Sequence, residues 1–163
     1  MTSRTSRGQV GRPGAPGPAV TVKQVYASST MPLSYGGCAY AANAILPLAV
    51  NITACNGMNR VGTTGFQSLI PIAPYSATAT VQVASATSGS TLVFRNSNGL
   101  IPGSVFPGVS VPTTGGTVVL DSIIPQVPQG TTISVGVGSG SVTVATTTAG
   151  HIGSLKLTSQ QFY

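Results

Sequence analysis

Few side chains in this sequence could move a proton, hold a metal or attack a carbonyl. Its 163 residues include one histidine, His151, one acidic residue, Asp121, no glutamate, and two cysteines, Cys38 and Cys55. General acid–base work near neutral pH needs a histidine or a tuned carboxylate within hydrogen-bond reach of the reacting group, so such chemistry would have to run through His151 and Asp121. A Ser-His-Asp set can be drawn in almost any serine-rich chain, and here no nucleophile elbow accompanies it. No catalytic set is expected. Two cysteines and one histidine fall short of the four ligands of a structural zinc, so neither a metal nor another cofactor is expected. The glycine clusters at 36–37, 115–116 and 136–140 lack the following Lys-Ser/Thr and helix of a phosphate loop. Cys38 and Cys55 bracket residues 39–54 and could form a disulfide if the strands carrying them are neighbours. Otherwise they are two small buried apolar thiols.

The charge lies mostly at one end of the chain. The formal net charge is +6, yet four of the seven basic residues, Arg4, Arg7, Arg12 and Lys23, fall in the first 23 positions. The body keeps Arg60, Arg95 and Lys156 against Asp121. An arm that neutralises packaged nucleic acid needs a denser run, because each phosphate contact takes its own Lys or Arg. Three arginines spaced by Gly, Ser, Thr and Pro suit docking on an acidic protein surface better. Only 5% of the residues are charged while 41% are hydrophobic. Ser, Thr, Asn and Gln must therefore supply the surface polarity, and much of the exterior is expected to be covered by copies of the chain or by a partner.

Between Gly8 and Ala19 a glycine stands at every third position, Gly8, Gly11, Gly14 and Gly17, with Pro13, Pro16 and Pro18 between them. Only glycine fits at the axis of a collagen triple helix, and proline pre-sets its extended backbone. Four such triplets span roughly 37 Å at about 3.1 Å per residue, so a triple helix there would depend on trimerisation downstream. The other reading is an extended Gly/Pro arm without a triple helix. No secretory signal is expected, since Gly and Pro rather than an apolar stretch follow Arg7. No apolar run reaches the ~20 residues of a membrane helix. The chain is expected to be made in the cytoplasm.

The elements that would position these residues are short strands. Val20–Val25, Ala79–Val83, Thr91–Phe94, Thr117–Leu120, Thr132–Val135, Ser141–Val144 and Ser154–Leu157 are β-branched runs with period two, separated by Gly, Pro, Asn and Ser. Asn98-Gly99, Gly115-Gly116 and Gly138-Ser139-Gly140 read as hairpin turns. Ala39–Ala44 is the one stretch that could make a helical turn before Pro47 stops it. Phe66, Tyr75, Phe94 and Phe106 are expected in the core or at subunit contacts. Asp121 is expected to cap a turn, and His151 to sit in a turn or on a trimer axis. Gln160-Gln161-Phe162-Tyr163 reads as a closing strand edge or as an exposed anchor. The expected fold is all-β, a jelly-roll sandwich or barrel, with an extended Gly/Pro-rich arm at 1–23 and a head at 24–163.

The run from Thr91 to Ser104, a strand followed by Asn98-Gly99 and Pro102-Gly103-Ser104, resembles part of the C1q/TNF-like jelly-roll heads of phage and bacterial collagen-like surface proteins. The segments Gly116–Leu120, Pro128–Val135, Ser141–Val144 and Gly153–Leu157 are similar in order and spacing to the closing strands of such heads, and the likeness covers roughly residues 45–163. Gly130-Thr131 stands where Gly-Asp is frequent in them, which argues against a metal in the head. The resemblance implies a homotrimer and a structural rather than enzymatic role. That role would be a phage capsid decoration, cement or short spike protein on the virion surface, docked on the capsid lattice through Arg4, Arg7, Arg12, Pro13, Pro16 and Pro18. The alternatives are a collagen-like trimer of a bacterial spore or cell surface, or a small-virus coat protein with a basic arm.

Overall fold

The computed structural model describes residues 22–96, 99–100, 108–147 and 150–162. These form β1 (Val22–Met31), β2 (Ala39–Ala41), β3 (Asn51–Asn56), β4 (Met58–Val61), β5 (Gly65–Ser68), β6 (Ala73–Ala86) and β7 (Thr91–Asn96). They continue with β8 (Gly99–Leu100), β9 (Val109–Ser110), β10 (Gly116–Val127), β11 (Thr132–Ser139), β12 (Ser141–Val144) and β13 (Gly153–Phe162). Every pairing is antiparallel. A seven-stranded sheet runs β2-β12-β6-β13-β1-β3, with β10 on the far side of β6. A six-stranded sheet runs β4-β5-β11-β7-β8, with β9 also pairing β7.

Period-two patterning places the core between the sheets. Along β6, Ala73, Tyr75, Ala77, Ala79, Val81 and Val83 are buried while the residues between them are partly or fully exposed. Val25, Ala27 and Met31 of β1, Val118, Leu120 and Ile124 of β10, and Leu155 and Leu157 of β13 extend the same apolar face. The six-stranded sheet answers with Phe66, Leu92, Phe94, Ile133, Val135 and Val137. Phe66, Tyr75 and Phe94 are thus in the core, as expected; Phe106 lies outside the described residues.

The chain passes repeatedly from one sheet to the other, which makes the sandwich a jelly roll. It crosses between β3 and β4, β5 and β6, β6 and β7, β9 and β10, β10 and β11, and β11 and β12. Gly140 turns the last crossing with a φ of 71°, and a Cβ there would collide with Ser90 Oγ. Only glycine meets both conditions.

Several local expectations need correction. Gly138-Ser139-Gly140 and Gly115-Gly116 are sheet-to-sheet crossings, not hairpins, because β11 and β12, like β9 and β10, belong to different sheets. The hairpin expected between Phe94 and Ile101 does form, with β7 and β8 pairing Asn96 with Gly99, and Asn98 lies outside the described residues. Ala39–Ala41 is strand, because β12 supplies its ladder hydrogen bonds, and a 3-10 turn forms earlier, at Leu33–Tyr35. Cys38 and Cys55 are free thiols, so the possible disulfide is absent, and they are exposed rather than buried. The reason is topological. Cys38 directly precedes β2, at one end of the seven-stranded order, whereas Cys55 sits on β3 at the other.

Candidate subunit interface

The outward face of the seven-stranded sheet carries the residues that the core pattern leaves behind. Three cross-strand rows define it. Ile123 of β10 lies opposite Ser76 of β6, followed by Thr158 of β13 and Tyr26 of β1. The next row is Asp121, Thr78, Lys156 and Ser28, and the third is Val119, Thr80, Ser154 and Thr30. Small hydroxyl residues, interrupted by Lys156, thus make a floor along β6 and β13, bordered by Val119 and Ile123 on β10 and by Tyr26 on β1. Ile123 is 71% exposed and Val119 51%, the apolar members of an outward row where solvent would favour polar ones.

β10 pairs only with β6 among the described residues, so its other side is a sheet edge. Unpaired edges invite another chain. Pro125 interrupts that edge, and the register with β6 shifts between Ile124 and Val127.

An open pocket of about 430 Å³ lies at one end of the floor, lined by Gln24, Pro74, Tyr75, Ser76, Ile123, Thr158 and Ser159. It arises where the β1–β13 ribbon runs on to the Val22–Phe162 pair, past the last β6–β13 pair at Ser76 and Thr158. Ser159 Oγ donates to the Pro74 carbonyl. Tyr75 is buried beneath, its Oη 2.7 Å from Ser68 Oγ. Burial pushes the Tyr75 phenol above its ordinary 10.0, partly offset by the Ser68 hydrogen bond, so it stays neutral at physiological pH. The pocket thus has no charged lining residue.

The electrostatics of the face reduce to one pair of residues. Asp121 accepts a hydrogen bond from Thr78 Oγ1 at 3.3 Å. Lys156 flanks Thr78 on the other side and is exposed, without a hydrogen bond or ion pair to any described residue. Asp121 is therefore an outward mid-strand residue and not the expected turn cap, since β10 continues to Val127. His151 is exposed, between the bends at Gly150 and Ile152 that precede β13.

The remaining candidates fare unevenly. The arm residues Arg4, Arg7, Arg12, Pro13, Pro16 and Pro18, and the glycines Gly8, Gly11, Gly14 and Gly17, lie outside the described residues. Gln160–Phe162 belong to β13 and close the sheet against β1, while Tyr163 is not described. No group of three or more His, Cys, Asp or Glu forms a metal cluster among the described residues. No described helix is long and apolar enough to cross a membrane. Sequence reasoning missed the outward apolar residues Val119 and Ile123. The signal was the Val118-Val119 and Ile123-Ile124 doublets, which place an apolar side chain on each face of one strand.

The strand order can be set beside solved structures. Murine APRIL, at pH 8.0, superposes with a TM-score of 0.56 at 10% identity, over 84% of this chain and 99% of that one. The likeness is one of fold, the jelly roll. The PRD1 vertex protein P5 aligns over 88% of this chain and 99% of its own, with 19% identity and a TM-score of 0.46. No protein-family model matches the sequence, and no curated protein does.

Proposed function

We propose that this chain is a structural protein of a virion, a capsid decoration, cement or short spike protein that assembles as a homotrimer. In this reading the head spans about residues 24–163 and the basic Gly/Pro arm, residues 1–23, docks on the capsid lattice. The observation that carries the reading is the pairing of Val22 with Phe162 at one end of the seven-stranded sheet, where a docking arm would join the head. An arm rooted there leaves the opposite end of the jelly roll free to project.

The chain's chemistry supports a structural role over catalysis. The one acid and the one histidine are both exposed, Asp121 on β10 and His151 in the connection before β13. The charge-poor exterior fits a protein whose surface is covered by its own copies. Three arms on one trimer raise the effective concentration at neighbouring lattice sites without needing strong single contacts. Arg4, Arg7 and Arg12 would supply attraction to an acidic surface, and Pro13, Pro16 and Pro18 would reduce the ordering cost.

Immunogold labelling with antibodies against the purified head, applied to particles from a lysate of the producing cells, tests the reading. Gold on capsid surfaces is expected, with loss of labelling when residues 1–19 are deleted. Gold confined to spores or cell walls would overturn it in favour of a bacterial surface trimer. Self-assembled shells with a high 260/280 absorbance ratio would overturn it in favour of a coat protein.

A further inference from the structure

Resting on the homotrimer reading, we infer that Asp121 of each subunit forms an ion pair with Lys156 of the adjacent subunit, and that this pair sets the register of the assembly. The face that carries both residues bears the exposed apolar groups Val119 and Ile123 and an uncharged pocket, so covering it removes apolar surface from water. Whatever covers it must also cover Asp121 and Lys156. A charge buried without a partner is strongly destabilising. The covering surface must therefore bring one cation to Asp121 and one anion to Lys156.

A second copy of this chain meets that requirement with no other component. Its matching face holds one of each, in the same cross-strand row. Within one subunit the two are separated by the intervening strand β6, about 10 Å between backbones at ~4.8 Å per strand. Among the described residues, Asp121 is held there only by the Thr78 hydroxyl. Asp121 is also the sole acidic side chain of the sequence. No other carboxylate side chain on a neighbouring copy can neutralise Lys156. Because Asp121 stands on the edge strand β10 and Lys156 on the interior strand β13, the edge of one copy is drawn over the face of the next. Such a head-to-tail contact closes into a ring when the rotation allows it.

The single acid makes the test unusually specific. Zero-length carbodiimide coupling of the full chain joins a carboxylate to an amine only where the two are in contact. A cross-linked peptide pair containing Asp121 and Lys156 is expected, together with multimers on a denaturing gel that disappear in Asp121→Asn. Mixing isotope-labelled with unlabelled chains must yield hybrid peptide pairs, which separates contacts between subunits from contacts within one. In parallel, light scattering should show that Asp121→Lys and Lys156→Asp each raise the dissociation midpoint by on the order of a hundredfold, as removal of one partner of a buried pair does. The double exchange should restore assembly. A wild-type trimer whose hybrid cross-links avoid Asp121–Lys156, or whose double exchange stays dissociated, overturns the pair while leaving the trimer intact. A wild-type monomer overturns both. Asp121→Asn alters one exposed side chain without changing its size, so its loss of assembly reports the interface even if the charge reversals fail to fold.

Discussion

On the six-stranded sheet the cations are consumed by the chain itself. Arg95 donates to Asn43 Oδ1 at 3.3 Å and to the Val137 carbonyl at 3.5 Å, and its stem passes over Gly136, where a Cβ would lie 2.6 Å from Arg95 Cδ. Arg60 donates to the Val50 carbonyl at 2.9 Å. Residues 43–46 continue the sheet along β11 beyond β5, through the Ile45–Gly136 bridge. On the seven-stranded sheet nothing comparable happens. Lys156 has no described partner, β10 keeps an open edge, and Ile123 is 71% exposed. The described cations of one surface are bonded within the chain, and the cation of the other is not; under the proposed assembly a second copy would supply its partner. Overall charge hides this distinction, since both surfaces are poor in charge, and the fate of individual cations reveals it.

The strongest way to break the comparison is to charge each surface in turn. Ile123→Asp should convert assembled protein to single chains at micromolar concentration, because it places a carboxylate at the centre of the proposed contact. The melting temperature of the dissociated chain should barely reflect so exposed a site. Val61→Asp, on a residue that is 40% exposed on β4, should leave the mass unchanged. Sizing with light scattering reads both, and equal behaviour of the two variants would erase the contrast.

Gly136→Ala sharpens it from the other side. The new Cβ would press on Arg95 Cδ at 2.6 Å and on the Ala44 carbonyl oxygen at 2.8 Å. Overpacking of this kind costs about 1–3 kcal/mol. Urea denaturation should register that loss, with the mass unaltered.

A smaller effect is expected at high pH. Burial first, then Cys38 and Tyr35 nearby, push the Tyr40 phenol from 10.0 up to about 12. In the unfolded chain this phenol ionises near 10, so the folded state binds more protons between the two values. The contribution is fully present below pH 10 and is lost as pH rises towards 12. Thermal midpoints should fall across that window, and less steeply in Tyr40→Phe. The least effect belongs to the thiols. Both should react with a thiol reagent in native protein, and Cys38→Ser should shift neither mass nor stability by more than about 0.5 kcal/mol.

The central strands were legible because β6 and β13 bury alternate residues, while β11, buried at consecutive positions, is marked by its β-branched run. Ala79–Val83, Thr132–Val135 and Ser154–Leu157 all fall inside observed strands. β3 and β4 escaped notice because Asn51–Asn56 and Met58–Val61 expose nearly every residue, so no alternation marks them. Ala39–Ala41 has helix-forming residues, but its pairing with β12 joins positions about a hundred residues apart, which local propensity cannot anticipate. The same limit applies to Asp121. Leu120-Asp121-Ser122 looks like a strand ending in a turn, whereas β6 pairs with β10 on through Ile124 and holds the aspartate at mid-strand. The cysteines illustrate the same limit, since closeness in sequence says little about strand order in a sheet that sets β2 beside β12 and β3 beside β1.

The central claim is that the outward face of the seven-stranded sheet is completed by copies of the same chain. The solution mass of the full-length protein, measured by light scattering across a concentration series, tests it most directly. The account predicts a mass of three chains that persists on dilution to the micromolar range. A single-chain mass throughout that series would contradict it.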